Sequence, residues 1–295
     1  MPITTEFEYF VPSSVKEASG LLEKYKEKAR VLAGGTDLIV QLKEDVSKPA
    51  ALVDIKRIAS LKGLKTKGGF LSIGALVTFT ELVESAFIKS KFPVLWEAAR
   101  TVASPGVRNR ATMAGNICSA VPSLDSAPAL LVYEAVITVD GPKGTRKVPF
   151  ASFITGPRRT VLGKGELVTG ILLPLPSKHG GAYVKLGRYA GEDLAQAGVG
   201  VYADKSGAVR VAFCALAPAP ARSKKLEALL SGKKLEAALF AQAEELLAKE
   251  LSPISDIRSS KEYRLHMAGV MLERGLKAAT ARLAGEGPEY GKALV

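Results

Sequence analysis

Two short glycine-containing segments hold the residues best suited to chemistry. They are Val31-Leu32-Ala33-Gly34-Gly35-Thr36-Asp37-Leu38 and Ala111-Thr112-Met113-Ala114-Gly115-Asn116-Ile117. Paired glycines after an apolar strand tolerate positive φ and let the backbone come close to a ligand. Successive outward N–H groups form a nest that favours phosphate oxygens. Thr36 adds a hydroxyl donor, and a helix over residues 37–42 would turn its N-terminus to the same ligand. In the second segment Thr112 and Asn116 supply polar side chains around Gly115. Asp125 follows in Pro122-Ser123-Leu124-Asp125-Ser126 and could accept from a ribose hydroxyl or an adenine amine. Plainer readings stand beside these: a strand–turn–helix at Gly34-Gly35, and a turn or helix N-cap at Asp125.

The phosphate site, if present, belongs to neither common class. Gly-x-Gly-x-x-Gly is absent, and no acidic residue is expected at a second strand end about 20 residues on. No Gly-Lys-Ser/Thr follows either, which removes a P-loop.

Composition narrows the function further. The 295 residues leave room for two domains, at roughly 100–200 residues each. The chain is 47% hydrophobic, so a sizeable core is expected. No apolar run reaches the ~18–20 residues of a membrane span, and residues 1–7 do not read as a signal peptide. A soluble cytoplasmic protein is expected. Cys118 and Cys214 cannot supply the four thiolates of an iron–sulfur cluster or of an all-thiolate zinc site. With only His179 and His266 beside them, no protein-bound metal is expected, and a disulfide is not needed. The net charge of +12 suits an acidic ligand or partner. The basic residues are scattered and not interleaved with aromatics, so nucleic-acid binding is not expected.

Elements must position the two segments. Ser14-Val15-Lys16-Glu17, Thr78-Phe79-Thr80-Glu81 and Ser259-Ser260-Lys261-Glu262 read as capping boxes opening helices. A longer helix begins near Pro93. Residues 30–33, 50–55, 70–76, 135–140 and 166–173 read as strands. Residues 104–116 lack an apolar period and read as one long loop. Pro174-Leu175-Pro176-Ser177-Lys178-His179-Gly180-Gly181 is the expected domain boundary. Strands over 182–186, 197–203 and 209–217 follow, with a hairpin turn at 204–207. Two helices come last: 223–251, with a break at Ser231-Gly232, and one from Ser259 to about residue 283. The expected class is α+β.

These motifs resemble the FAD-binding subunit of the molybdenum hydroxylases. That is the medium subunit of carbon monoxide dehydrogenase-type enzymes, or the FAD domain of xanthine dehydrogenase and aldehyde oxidase relatives. The resemblance covers nearly the whole chain. It takes in Phe7-Glu8-Tyr9-Phe10-Val11-Pro12-Ser13-Ser14, the two glycine segments, Pro122–Asp125, Lys185-Leu186-Gly187-Arg188 with Glu192-Asp193-Leu194-Ala195, and Ser255 through Arg264. It implies a vanillyl-alcohol-oxidase (PCMH)-type FAD-binding domain of two subdomains over residues 1–176. A C-terminal α+β domain of the carbon monoxide dehydrogenase flavoprotein type, a three-stranded sheet with helices, then covers 177–295.

The resemblance also implies roles. Leu32, Ala33, Gly34, Gly35, Thr36, Asp37 and Leu38 grip the FAD pyrophosphate. Thr112, Ala114, Gly115 and Asn116 run along the cofactor, and Asp125 faces its adenosine half. Lys185 and the loop 188–193 lie near the isoalloxazine, and Val102 and Val168 line the flavin. Relatives usually carry Gly-Gly-Asn where Ala114-Gly115-Asn116 stands, and the Ala114 methyl is tolerable only at negative φ. A Gly35→Val side chain would press on the pyrophosphate and weaken FAD binding. Without the resemblance, Lys185 reads as a surface lysine, Glu192 and Asp193 as a solvated turn, and Tyr189 as a half-buried tyrosine.

No residue of this chain is expected to be catalytic. FAD, held non-covalently, would be its only redox centre. The molybdenum cofactor would belong to a large partner subunit and two [2Fe-2S] clusters to a small one, in a dimer of heterotrimers. Lys185 would stabilise negative charge on reduced flavin, by about 4 kcal/mol at ~4 Å before desolvation is subtracted. The alternative enzyme is a stand-alone FAD-dependent oxidase or dehydrogenase. A basic binding protein with no redox role is the alternative outside enzymes.

Overall fold

The computed structural model describes residues 2–189 and 191–294. The chain begins with a small parallel sheet. Strand β1 (Glu8–Phe10) leads through helix α1 (Val15–Tyr25) to β2 (Ala29–Leu32), and then through α2 (Leu38–Lys43) to β3 (Ala51–Asp54). The order is β1-β3-β2, with both pairings parallel. All four residues of β3, Ala-Leu-Val-Asp, are buried, as a central parallel strand covered on both faces requires. Ser14 caps α1 through its side chain. The Glu17 carboxylate, however, accepts from Ser13 N at 2.8 Å and Ser13 Oγ at 3.0 Å, so only half of the expected capping box forms.

One sequence-based expectation fails at β3. An acidic residue does stand at the second strand end: Asp54, twenty positions beyond Gly34. Its carboxylate is already engaged by the Tyr9 hydroxyl, by Lys56 N at 3.0 Å and by Lys56 Nζ at 2.8 Å.

The next layer is antiparallel. Strands β4 (Leu64–Lys67) and β5 (Phe70–Gly74) precede six helices: α3 (Phe79–Glu84), α4 (Ala86–Lys91), α5 (Pro93–Arg100), α6 (Pro105–Arg108), α7 (Met113–Ser119) and α8 (Ser126–Val132). Strands β6 (Val136–Gly141), β7 (Gly144–Pro149), β8 (Ile154–Gly156), β9 (Arg159–Thr160) and β10 (Leu167–Pro174) follow. The sheet runs β4-β5-β10-β6-β7, and β8 and β9 form a separate ribbon. Thr78 and Glu81 form the complete capping box of α3. Residues 104–116 are not one loop. Ser104 caps α6 and Thr112 caps α7. Phe79 N donates to Ala111 O at 3.0 Å and Met113 N to Val77 O at 3.2 Å, pinning the segment between these short helices.

The C-terminal sheet has four strands where three were expected: β11 (His179–Leu186), β12 (Ala197–Asp204), β13 (Val209–Cys214) and the two-residue β14 (Ala221–Arg222). Helix α9 (Lys224–Leu230) stops at Ser231, and α10 (Ala237–Glu250) starts afresh. Helix α11 (Lys261–Ala284) is capped by Ser260, which accepts from Tyr263 N, one residue later than the expected box. Strand β12 is buried from Ala197 to Ala203 because both faces are covered. Helix α11 packs on one face, and α5 and α8 of the N-terminal part pack on the other. Tyr183, Tyr202 and Ala212 thereby join the N-terminal core, while Val199, Val201 and Phe213 belong to a second core with α10 and α11. Among the described residues no helix is long and apolar enough to cross a membrane.

Candidate functional site

Both parts of the chain line one cavity of about 1010 Å³. The turn after β2 and the start of α7 form its middle. Of the residues expected at the site, Ala33, Gly34, Gly35, Thr36, Asp37, Leu38, Val102, Thr112, Ala114, Gly115, Asn116, Asp125 and Val168 line it. Leu32 and Lys185 do not. Leu32 ends β2 and is 8% exposed, facing the core.

The turn leaves its amides free. Among the described residues, the N–H groups of residues 34–38 donate to no protein acceptor. The α2 ladder starts only at Ile39 N, which donates to Gly35 O at 2.9 Å. Amides at a helix start have no intrahelical partner, and a run of five on a turn that lines one cavity is a ready nest for anionic oxygens. The two glycines have separate reasons. Gly35 has φ +79°. A Cβ on Gly34 would stand 2.0 Å from Arg110 O, so Gly34 is required where the two segments touch.

The second segment is a helix start, with its polar groups partly engaged. Thr112 Oγ1 accepts from Gly115 N at 3.0 Å, and Asn116 Oδ1 accepts from Ser126 Oγ at 2.7 Å. Ala114 sits inside α7 at negative φ, which meets the condition its methyl imposes. Asp37 accepts a short hydrogen bond from Ser119 Oγ. Its carboxylate thus ties the first segment to α7, a role better suited to a negative group than contact with a phosphate. Ser119 lines the cavity as well, and nothing in its local sequence marked it.

Asp125 and Lys185 were expected at opposite ends of the ligand. They form one buried ion pair instead, with Oδ2 to Nζ at 2.9 Å. Lys185 Nζ also donates to Thr101 O at 2.9 Å, and Tyr183 donates its hydroxyl to Asp125 Oδ1 at 2.7 Å. Burial raises the Asp125 pKa above its usual value, against the opposing pull of Lys185 and Tyr183. The lysine charge is therefore largely neutralised, and Asp125, not Lys185, meets the cavity.

In the loop 188–193, Ala190 lies outside the described residues. Asp193 accepts from Arg188 N at 2.6 Å and Arg188 Nη2 at 2.9 Å. Bonding to Arg188 pulls its carboxyl down to about 2. Glu192, Asp193 and Leu194 line the cavity; Tyr189 is 57% exposed and outside the lining. The rest of the lining includes Lys26, Arg30, Arg158 and the segment 162–168, which rests on α1 through Ser19 Oγ donating to Gly165 O at 2.8 Å. Among the described residues no cluster of His, Cys, Asp or Glu could hold a metal ion. Cys118 and Cys214 are free thiols.

Residues 5–176 match the family described as the FAD binding domain in molybdopterin dehydrogenase, and residues 182–279 match the CO dehydrogenase flavoprotein C-terminal domain. The chain belongs to this family of molybdenum hydroxylase flavoproteins. It is 36% identical to the carbon monoxide dehydrogenase medium chain of Hydrogenophaga pseudoflava, covering 96% of this chain and 100% of that one. It is 32% identical to the xanthine dehydrogenase FAD-binding subunit of Escherichia coli O157:H7, covering 94% and 97%. A crystal structure of the Cu,Mo-CO dehydrogenase in its cyanide-inactivated form contains a similar chain, with TM-score 0.92, 34% identity, and 96% and 100% coverage. As a medium-type FAD subunit of the molybdenum hydroxylase family, the chain is an oxidoreductase subunit.

Proposed function

We propose that the cavity holds FAD non-covalently, and that this subunit passes electrons from [2Fe-2S] clusters of a small partner subunit through that flavin to an external acceptor. The molybdenum cofactor then belongs to a large partner subunit, within a cytoplasmic dimer of heterotrimers. Residues 1–176 form the FAD-binding domain and 177–295 the C-terminal domain in this reading. The carrying observation is the run of unpartnered N–H groups at residues 34–38, beside the start of α7 in a cavity of about 1010 Å³.

Those amides, with Thr36, suit a pyrophosphate. Lys26, Arg30 and Arg158 add positive charge along the lining. Val102, Val168 and Lys185 would flank the flavin ring, and the 2.9 Å contact with Lys185 brings Asp125 to that end instead of the adenosine end expected of it. Bound flavin supplies the exchange between one-electron and two-electron transfer; the chain holds it, fixes the charge around it and limits access to it. A stand-alone oxidase would need its own general base. The described lining contains neither histidine nor tyrosine.

Titration of the purified chain with FAD tests the reading. Flavin absorbance should be retained after desalting, and melting should shift upward, by about 2.7 kcal/mol of stabilisation at a hundredfold excess over Kd. No retained flavin and no shift would refute it. Co-purification with an iron–sulfur subunit supports the relay over the stand-alone enzyme, whereas flavin reduction by a substrate in the isolated chain reverses that preference.

A further inference from the structure

Tyr183 lies on β11, behind the cavity wall, and does not line the cavity. It is 6% exposed. Its hydroxyl takes one oxygen of Asp125, at 2.7 Å, and Lys185 takes the other, at 2.9 Å. The phenol oxygen is also 3.7 Å from Cys214 Sγ. Room for this arrangement comes from β12, where Gly198 pairs with Lys185. A Cβ on Gly198 would stand 2.7 Å from the Tyr183 hydroxyl and 2.4 Å from Cys214 Sγ.

We propose that Tyr183 is a positioning residue: its phenol aims Asp125 and keeps it ionised against Lys185, and so sets the net charge that the cavity wall presents to the flavin ring. The proposal rests on the reading that the cavity holds FAD with its ring toward the Asp125–Lys185 pair.

Satisfied donors and acceptors decide the charge state. Each hydrogen bond that a buried carboxylate accepts favours its charged form against burial. The groups facing Asp125 are Tyr183 and Lys185 from β11, with Cys214 from β13 acting through the phenol. Glu192 and Asp193 line the same cavity. Burial already pushes the Asp125 carboxyl upward, and Tyr183 is one of the two residues that oppose it. Loss of the phenol hydroxyl leaves Oδ1 without a partner, so Asp125 takes up a proton more readily. The pair then changes from neutral to singly positive through Lys185. A more positive wall stabilises the added negative charge of reduced flavin and raises its midpoint potential. The phenol makes no contact with the cavity, so its removal subtracts no ligand contact.

The test is spectroelectrochemistry of the full-length, FAD-loaded chain across pH, for wild type, Tyr183→Phe, Asp125→Asn and the double variant. Tyr183→Phe should shift the midpoint potential positive, more so as pH falls, with FAD affinity within about fivefold of wild type. Asp125→Asn should shift it positive at every pH, and adding Tyr183→Phe to it should change nothing further. A folded, flavin-loaded Tyr183→Phe protein with the wild-type potential at all pH overturns the proposal alone, as do simply additive shifts in the double variant. If Tyr183→Phe fails to fold, Lys185→Met must leave the potential at or below the wild-type value, because Asp125 then either keeps its charge or takes up a proton and leaves the site neutral; a positive shift overturns the proposal. Wild-type protein that takes up no flavin overturns the FAD reading, and this proposal with it.

Discussion

Gly34 and Gly35 occupy adjacent positions and answer to different forces. At Gly34 the neighbour is backbone: a Cβ would approach Arg110 O to 2.0 Å and Arg110 C to 2.7 Å, and backbone cannot swing aside as a side chain can. Gly34→Ala should therefore separate the two segments of the site. Overpacking of this kind costs about 1–3 kcal/mol, and a misplaced nest should weaken FAD binding by about tenfold or more. Melting curves and a flavin-fluorescence titration check both effects; unchanged FAD affinity would refute the paired-segment site. At Gly35 the added Cβ would meet Leu32 Cδ1 at 3.0 Å and Ile39 Cγ1 at 3.3 Å. A valine there presses on Leu32 and Ile39 as well as on the cavity that Gly35 lines. Its harm comes from φ +79°, which a β-branched residue resists and asparagine tolerates. Residue types pointed to a turn that lines the cavity, but each residue's neighbours were beyond reach, because Arg110 is 76 positions away from Gly34.

Elements with strong local signals were legible, and those held by distant partners were not. Thr78 and Glu81 form their capping box entirely within one turn. Helices α6 and α7 span four and seven residues, too few to display an apolar period, and contacts with residues 77–79 hold the segment in place. Asp125 and Lys185 met for the same reason: α8 packs under the C-terminal sheet, which no local pattern announces. Helix α5 held one unread signal, Glu97 in the apolar run Pro-Val-Leu-Trp-Glu-Ala-Ala. Glu97 is buried against Arg282 of α11, with side-chain exposures of 6% and 3% and a contact of 2.9 Å. It also accepts from Tyr183 N at 2.9 Å and Gly291 N at 2.8 Å. Arg282 donates further to Gly181 O at 2.7 Å and Pro288 O at 2.9 Å. This pair joins the N-terminal part to the last helix and the tail. Removing one partner leaves the other charge buried, which costs about 3–5 kcal/mol. Glu97→Leu and Arg282→Leu should each lower the melting temperature sharply, and the double variant should lose less than their sum, by about 0.5–3 kcal/mol. Additive losses would show that the two side chains act independently.

At the scale of the whole molecule, two cores share one sheet, and the chain crosses between its halves at His179. The His179 ring stacks on Tyr202 at 4.6 Å between centroids. Its Nδ1 is 2.8 Å from Ser177 O, a pure acceptor, so Nδ1 carries the proton. Nε2 then accepts from Tyr133 Oη at 3.0 Å, and that oxygen accepts from Val94 N at 3.3 Å. Neutral imidazole completes the chain of bonds; imidazolium would bring a second donor to Nε2 and a charge among buried rings. Burial accordingly holds the His179 pKa below its usual value, and Arg210 adds to the effect against Ser177 O and Asp204. The unfolded chain takes up a proton near pH 6.5 that the folded chain refuses until lower pH. The stability this group supplies is complete above about pH 6.5 and is lost as pH falls through the folded-state value, at up to about 1.4 kcal/mol per pH unit. Asp125, whose carboxyl burial also pushes upward, is common to the wild type and His179→Gln, so the difference between the two from pH 6.5 down to about 5 isolates His179. Melting temperatures of the wild type should fall more steeply across that window than those of His179→Gln, and the two should run parallel above pH 7. Equal slopes below pH 6.5 would mean that the junction between the two halves tolerates the charge.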